Sequence, residues 1–169
     1  MSDVFKEQLV KRKKTPRDKV LTYAAMFVCV FICVILFLPI QFFVVPLGML
    51  LWIGARYLLS FLNIEYEYIF TNGDLDIDRI YDKSRRKRIY SGDVKNIEIM
   101  VPINDNGYEG SFKKAEKKFD CTSGTYGDNT YKFMVLYKEK NYNIIFEPND
   151  MLLNSMAPYL GQQRLVKKI

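Results

Sequence analysis

Asp74, Asp76 and Asp78 stand two residues apart, the spacing that opens many calcium loops. A helix–loop–helix calcium site starting at Asp74 needs glycine at its sixth position and glutamate at its twelfth. Those positions hold Arg79 and Arg85, so the aspartates read instead as the wet face of an alternating strand. Six cations follow between Arg79 and Tyr90: Arg79, Lys83, Arg85, Arg86, Lys87 and Arg88. A run of this kind meets phosphate, whether on nucleic acid or on lipid headgroups, or simply meets water. The chain has no histidine, which removes the commonest general base and the commonest zinc ligand. Its three cysteines, Cys29, Cys33 and Cys121, form no CxxC pair. They suit neither a disulfide framework nor a zinc site. No glycine-rich phosphate loop or pair of catalytic carboxylates stands out. The residues therefore imply a non-catalytic protein without cofactor or metal.

The elements that carry these charges come from an uneven chain. Between Val20 and Leu62 the only charged residue is Arg56. Val20–Pro39 and Phe42–Leu62 are each about 20 residues long, enough at ~1.5 Å per residue to cross a ~30 Å hydrocarbon core. The short Pro39–Gln41 connection and Pro46 favour a helical hairpin over one long helix. The length of the apolar region, and the lack of an A-x-A-like cleavage site, argue against a signal peptide. Seven cations precede the first span (Lys6, Lys11, Arg12, Lys13, Lys14, Arg17 and Lys19), and the connection carries none. The positive-inside rule then expects a two-span protein of the cell membrane with both termini in the cytoplasm. Arg56 reads as a snorkelling anchor. Ala25, Cys29 and Cys33 share one helix face, as do Gly48 and Ala55, so the two cysteines read as packing residues. Residues 1–19 read as a basic cytoplasmic arm, with Val4, Phe5, Leu9 and Val10 placed for a short interfacial helix or a disordered segment.

Charge separates the remaining function classes. Residues 1–62 hold eight Lys/Arg against three Asp/Glu, a net +5. Residues 63–169 hold seventeen against sixteen, a net +1. A nucleic-acid reader carries its excess charge in its own fold, so no nucleic-acid partner is expected. A membrane-tethered nucleic-acid binder stays as an alternative, as does a small transporter or channel accessory subunit. Gln41 and Arg56 are nearly all the polarity the spans offer for transport.

Beyond residue 62 the pattern is β. Tyr66, Tyr68 and Phe70 alternate with Glu65, Glu67 and Ile69 up to Asn72-Gly73, and Leu75, Ile77 and Arg79 alternate with Asp74, Asp76 and Asp78 after it. Two such runs around Asn-Gly predict a hairpin with a type I′ turn. Further strands are expected at 86–91, 94–101, 118–122, 130–138 and 142–147. Pro148-Asn149-Asp150 then caps a short helix holding Met151, Leu152, Leu153 and Met156. About seven antiparallel strands and one C-terminal helix make a small sandwich or barrel. The expected organisation is an arm over 1–19, the hairpin over 20–62, the β domain over 63–160 and a tail over 161–169.

The hairpin, the stretch "IEYEYIFTNGDLDIDRIYDKSRRKRI", then "VKNIEIM" and "FEPND", resemble a group of small bacterial membrane proteins whose soluble part is PH-like. The resemblance implies a PH-like β domain behind a transmembrane α-helical hairpin, and implies no activity. Eukaryotic relatives of that fold bind phosphoinositides through basic residues near their first hairpin. Here that turn is "TNGD", with no cation, which argues against such a pocket.

Strand alternation also predicts where the loops point. If the first strand leaves the bilayer upright, the Asn72-Gly73 and Gly92-Asp93 turns are distal. The loop holding Lys83, Arg85, Arg86, Lys87 and Arg88, and the 102–118 interval holding Lys113, Lys114, Lys117 and Lys118, then return to the membrane. Such a basic collar would attract anionic phospholipid headgroups at roughly 1 kcal/mol per cation. The expected function is a membrane-anchored interaction or scaffold module on the cytoplasmic face. Its expected partners are the lipid bilayer, anionic headgroups and an unidentified membrane or cytoplasmic protein.

Overall fold

The computed structural model describes residues 4–37, 41–105 and 107–160. The expected connection around Pro39–Ile40 and the expected 161–169 tail lie outside them. The chain divides into two compact units. One holds the two long helices with residues 14–64 and 81–83, and the other holds the β domain.

Two helices build the first unit, α1 over Pro16–Phe37 and α2 over Gln41–Leu59. Segments Pro16–Ile35 and Val45–Leu62 are long and apolar enough to cross a membrane. Helix α1 starts four residues before Val20 because Thr15-Pro16-Arg17-Asp18 caps it. Asp18 N donates to Thr15 Oγ1 (3.3 Å), and the Asp18 carboxylate accepts from Thr15 N (2.9 Å). Proline at the first helical position loses no bond there. The seam between the helices is lined by half-buried Thr22, Ala25, Cys29, Ile32 and Cys33, which face Gly48, Leu51, Ala55 and Leu59. A Cβ at Gly48 would stand 3.2 Å from Cys33 Sγ, so the small residue is what lets the backbones approach. The cysteines pack, as expected of them.

The second unit is a β domain of two four-stranded sheets and a C-terminal helix. Strands β1 (Phe5–Lys11), β2 (Ile64–Thr71), β3 (Asp74–Tyr81) and β4 (Arg85–Asp93) form one sheet in that order. Strands β5 (Ile97–Pro102), β6 (Lys117–Asp120), β7 (Tyr131–Tyr137) and β8 (Lys140–Phe146) form the other, in the order β5-β7-β8-β6.

Strand β1 corrects the N-terminal expectation. Residues 5–11 are neither an interfacial helix nor a disordered arm. They pair antiparallel with β2 from Phe5↔Thr71 to Lys11↔Glu65. A helix of about three turns is marginal alone, whereas β2 offers a full ladder of unpaired N–H and C=O groups. The domain boundary at residue 19 fails for the same reason. The β domain begins before the hairpin and resumes after it.

Two further expectations are corrected. Gly92-Asp93 is not a hairpin turn: a 3₁₀ turn over Val94–Asn96 carries the chain from β4 into the second sheet, and Asp93 caps that turn through Lys95 N. The described residues form eight strands, and not all are antiparallel, because β6 runs parallel to β8 (Lys117↔Tyr142 to Asp120↔Ile145).

The core lies between the sheets. Tyr66, Tyr68 and Phe70 of β2 and Leu75 and Ile77 of β3 are buried, as are Phe133, Ile144 and Phe146 of the second sheet. Tyr68 crosses from one sheet toward the other. Its hydroxyl donates to Cys121 O and accepts from Glu147 N (3.3 Å). Burial holds its phenol well above the ordinary tyrosine range. Gln8 makes a second tie. Its amide donates to Glu147 O (2.8 Å) and accepts from Asn149 N (2.7 Å). Helix α4 (Asp150–Met156) follows, capped by Asn149 accepting from Leu152 N (2.8 Å), with Leu152 and Met156 buried. The 103–116 interval folds over the outside of the second sheet. There Phe112 of helix α3 (Glu109–Phe112) packs on Ile99, Val101 and Met134. Lys132 crosses above the Phe112 ring and donates to Asp105 O (2.7 Å).

The Asn72-Gly73 turn has the dihedrals its residues predict, with φ of 50° and 108°. A Cβ at Gly73 would also stand 2.9 Å from the Tyr159 ring. Gly73→Val is therefore expected to cost about 2 kcal/mol, from positive φ and from displacement of Tyr159. Thermal unfolding of the full-length protein in detergent checks this, and an unchanged midpoint contradicts it.

Candidate membrane and partner contact surface

The basic run lies on a β-hairpin. Its tip, Asp82-Lys83, has φ of 49° and 57°, left-handed backbone that aspartate tolerates better than most residues. Asn63 holds this tip at the foot of α2. Asp82 N donates to Asn63 O (2.8 Å), and Asn63 Nδ2 donates to Asp82 Oδ1 (3.1 Å). Phe61 and Tyr81 meet edge to face, 6.0 Å between centroids. Tyr81–Lys83 thus share a compact unit with the two helices.

Past the tip the cations divide into two kinds. Arg86 and Arg88 are not loop residues; they stand in β4 and are engaged. Arg88 forks onto Asp78, through Nε to Oδ1 and through Nη2 to Oδ2 (3.0 Å), and reaches Asp76 Oδ2 through Nη1 (2.7 Å). The bond to Asp78 raises the guanidinium pKa further. Arg86 reaches across β3 to Glu67 on β2, with contacts of 2.7 and 3.0 Å. Two-pronged arginine–carboxylate pairs are the strong kind. The wet-face reading is corrected for Asp78, which is 3% exposed beneath Arg88, while Asp74 is exposed and Asp76 half-buried; Glu67, 4% exposed, lies beneath Arg86. Acids at 76 and 78 and cations at 86 and 88 flank the tip at matching distances. That spacing is the sequence signal for the pairing.

Lys83, Arg85 and Lys87 are exposed on the same hairpin. Lys83 and Lys87 form no ion pair among the described residues. The second group of cations lies on the other sheet. Lys113 and Lys114 follow α3, and Lys117 and Lys118 begin β6, all exposed. Lys117 sits 5.5 Å from the Tyr142 ring centroid; Tyr142 meets Tyr137 edge to face, and Tyr137 in turn meets Tyr90. The alternation argument that put both groups at one end does not hold. It counted Gly92-Asp93 as a reversal, whereas the chain there passes from one sheet to the other. The structure brings each group together within itself, on two different sheets.

Among the described residues no group of His, Cys, Asp or Glu is arranged to hold a metal ion. Burial pushes the Cys121 thiol up to about 12, partly opposed by Arg79, so at neutral pH it is a packing group and no nucleophile.

Two sheets closed by a C-terminal helix, entered through an apolar hairpin, are the architecture that the sequence resemblance implied. The model of the bacterial PH-like domain family (DUF6106) matches residues 2–165. The chain belongs to that family. No curated protein and no solved structure matches it. The family match begins ahead of β1 and so spans both the pre-hairpin strand and the domain that follows the hairpin.

The division of the cations is testable by stability. Arg88→Ser leaves Asp78 buried without its partner and is expected to cost about 2 kcal/mol. Lys87→Ser is expected to stay within about 0.5 kcal/mol. Adding Asp78→Asn to Arg88→Ser should recover part of the loss. Equal effects of the two single changes in denaturant unfolding contradict the pairing.

Proposed function

We propose that the protein is a membrane-anchored, non-catalytic interaction module. In this reading its PH-like domain works at the cytoplasmic face against anionic headgroups or a membrane-bound protein partner. The observation that carries the reading is the β3–β4 tip. Asn63, at the end of the second apolar helix, clamps Asp82, and Lys83 and Lys87 extend beside it as exposed cations. Family membership supports an interaction domain, and the apolar helices support membrane association. Five cations ahead of α1 and two in its first turn favour both termini inside. Arg86 and Arg88 contribute little to the contact because their charge is spent on Glu67, Asp76 and Asp78. The headgroup contact then rests on Lys83 and Lys87, with Lys113, Lys114, Lys117 and Lys118 as a second patch. Three or four cations supply several kcal/mol at low salt and much less at high salt.

A photoreactive residue placed at 83 or 87 in the full-length chain tests this in intact membranes. The expected result is lipid adducts that fade as salt rises. A protein adduct of defined mass at 87 instead selects the protein partner. Absence of both kinds at both positions overturns the reading and leaves a solvated surface.

A further inference from the structure

Strand β1 is the outer strand of its sheet, with α4 as its other neighbour. Asn72 N donates to Val4 O (3.1 Å), and the register continues as Phe5↔Thr71, Lys6↔Phe70 and onward. Residues 4 and 72 are therefore a hydrogen-bonded pair. In an antiparallel ladder such pairs alternate, so Lys6, Gln8 and Val10 turn their N–H and C=O groups to β2. The backbone groups of Phe5, Glu7, Leu9 and Lys11 point the other way. None of these four bonds to another backbone group across that edge among the described residues. At Lys13 the edge ends, because Lys13 N is already bound to Ser123 O (2.8 Å). The same four residues carry the exposed side chains, and two of them are large and apolar: Phe5 is 56% and Leu9 54% exposed. A seven-residue edge of this kind is a template for strand addition.

We propose that the occupant is β1 of a second copy, paired antiparallel about a two-fold axis at Leu9. The charge pattern selects that register. A two-fold axis normal to the sheet keeps the same face up in both copies, so residues i and j pair with i plus j constant and even. Centred on Leu9, Leu9 meets its own equivalent and Glu7 stands opposite Lys11 on both sides of the axis. Centring on Glu7 opposes two glutamates. Centring on Gln8 sets Glu7 against Leu9 and leaves both charges unmatched. Opposite charges facing each other across strands stabilise the pair and like charges destabilise it. The Leu9-centred ladder forms about six backbone hydrogen bonds, all from groups that β2 does not use. It buries Leu9 against Leu9 and joins two four-stranded sheets into one of eight strands. Such an interface is isologous and closed, so it ends at the dimer.

The test uses full-length protein in membrane vesicles, with Cys29, Cys33 and Cys121 replaced by Ala. Leu9→Cys is treated with a short bifunctional thiol reagent, since facing α-carbons of a hydrogen-bonded pair stand about 5.5 Å apart. Lys87→Cys, exposed on the opposite edge strand β4, is the control. A band of twice the chain mass for Leu9→Cys, absent for Lys87→Cys, is expected. Leu9→Pro in the native background removes one outward N–H and no bond to β2. It should keep the thermal midpoint of a folded domain while the dimer, followed by size in detergent, is lost. Monomer only from Leu9→Cys, equal crosslinking at both positions, adducts only with another protein, or a dimer that survives Leu9→Pro would each overturn the proposal.

Discussion

The pairing of β1 with β2 is the constraint on which the rest depends. These two strands are neighbours in the sheet, yet residues 12–63, including both apolar helices, lie between them in the chain. Lys11 and Glu65 are partners across the ladder, so the chain leaves for the hairpin and returns from it at points one strand spacing apart. A helical hairpin is the simplest insertion that satisfies this, because its second helix brings the chain back to the end it left. The hairpin is thus the connection of a β-hairpin, enlarged to membrane size. Loop closure over some fifty residues costs only a few kcal/mol more than a tight turn, and the two helices, once packed, remove most of that.

A second consequence follows at β2. Flanked by β1 and β3, it is interior, so Glu65 and Glu67 are buried although they point away from the core. A buried carboxylate needs a partner, and Arg86 supplies one for Glu67 from two strands away. Arg88 does the same for Asp78. Part of the basic run that looks like a surface for phosphate is in this way the lid on an acidic ladder. What remains for a membrane or a partner is the tip and its exposed lysines. This separation explains how residues 63–169, with sixteen acids and seventeen cations, can still present basic patches.

Much of the fold was legible where the signal is local. Asn72-Gly73 forecast its turn because two positive φ values need those residue types. Asn149 forecast α4 because a cap and an apolar stripe sit within eight residues. The spans were legible by length, and Cys29 and Cys33 by their shared face. Where partners are far apart in sequence, reading failed. In β1, Val4, Phe5, Leu9 and Val10 fit a helical face as well as a strand, and only the distant β2 decides between them. Gly92-Asp93 has turn composition, yet it serves a switch between sheets. The parallel placement of β6 leaves no mark in its four residues. Of the candidate site, the exposed lysines were found by composition. The strand expected over 86–91 already holds Arg86 and Arg88; their engagement is not legible because their carboxylate partners lie on β2 and β3.

The claim that the apolar hairpin is inserted between two paired strands can be met directly. Glu7 and Ile69 are facing residues of a non-hydrogen-bonded pair, where facing α-carbons approach to about 4.5 Å and suit a disulfide. Full-length protein carrying Glu7→Cys with Ile69→Cys, its own cysteines replaced by Ala, is oxidised and then cleaved within the hairpin. The account predicts that the two fragments stay joined until reduced. It also predicts that Glu7→Cys with Thr71→Cys, shifted by two residues, joins far less. Fragments that separate without reductant, or that join equally in both registers, would contradict it.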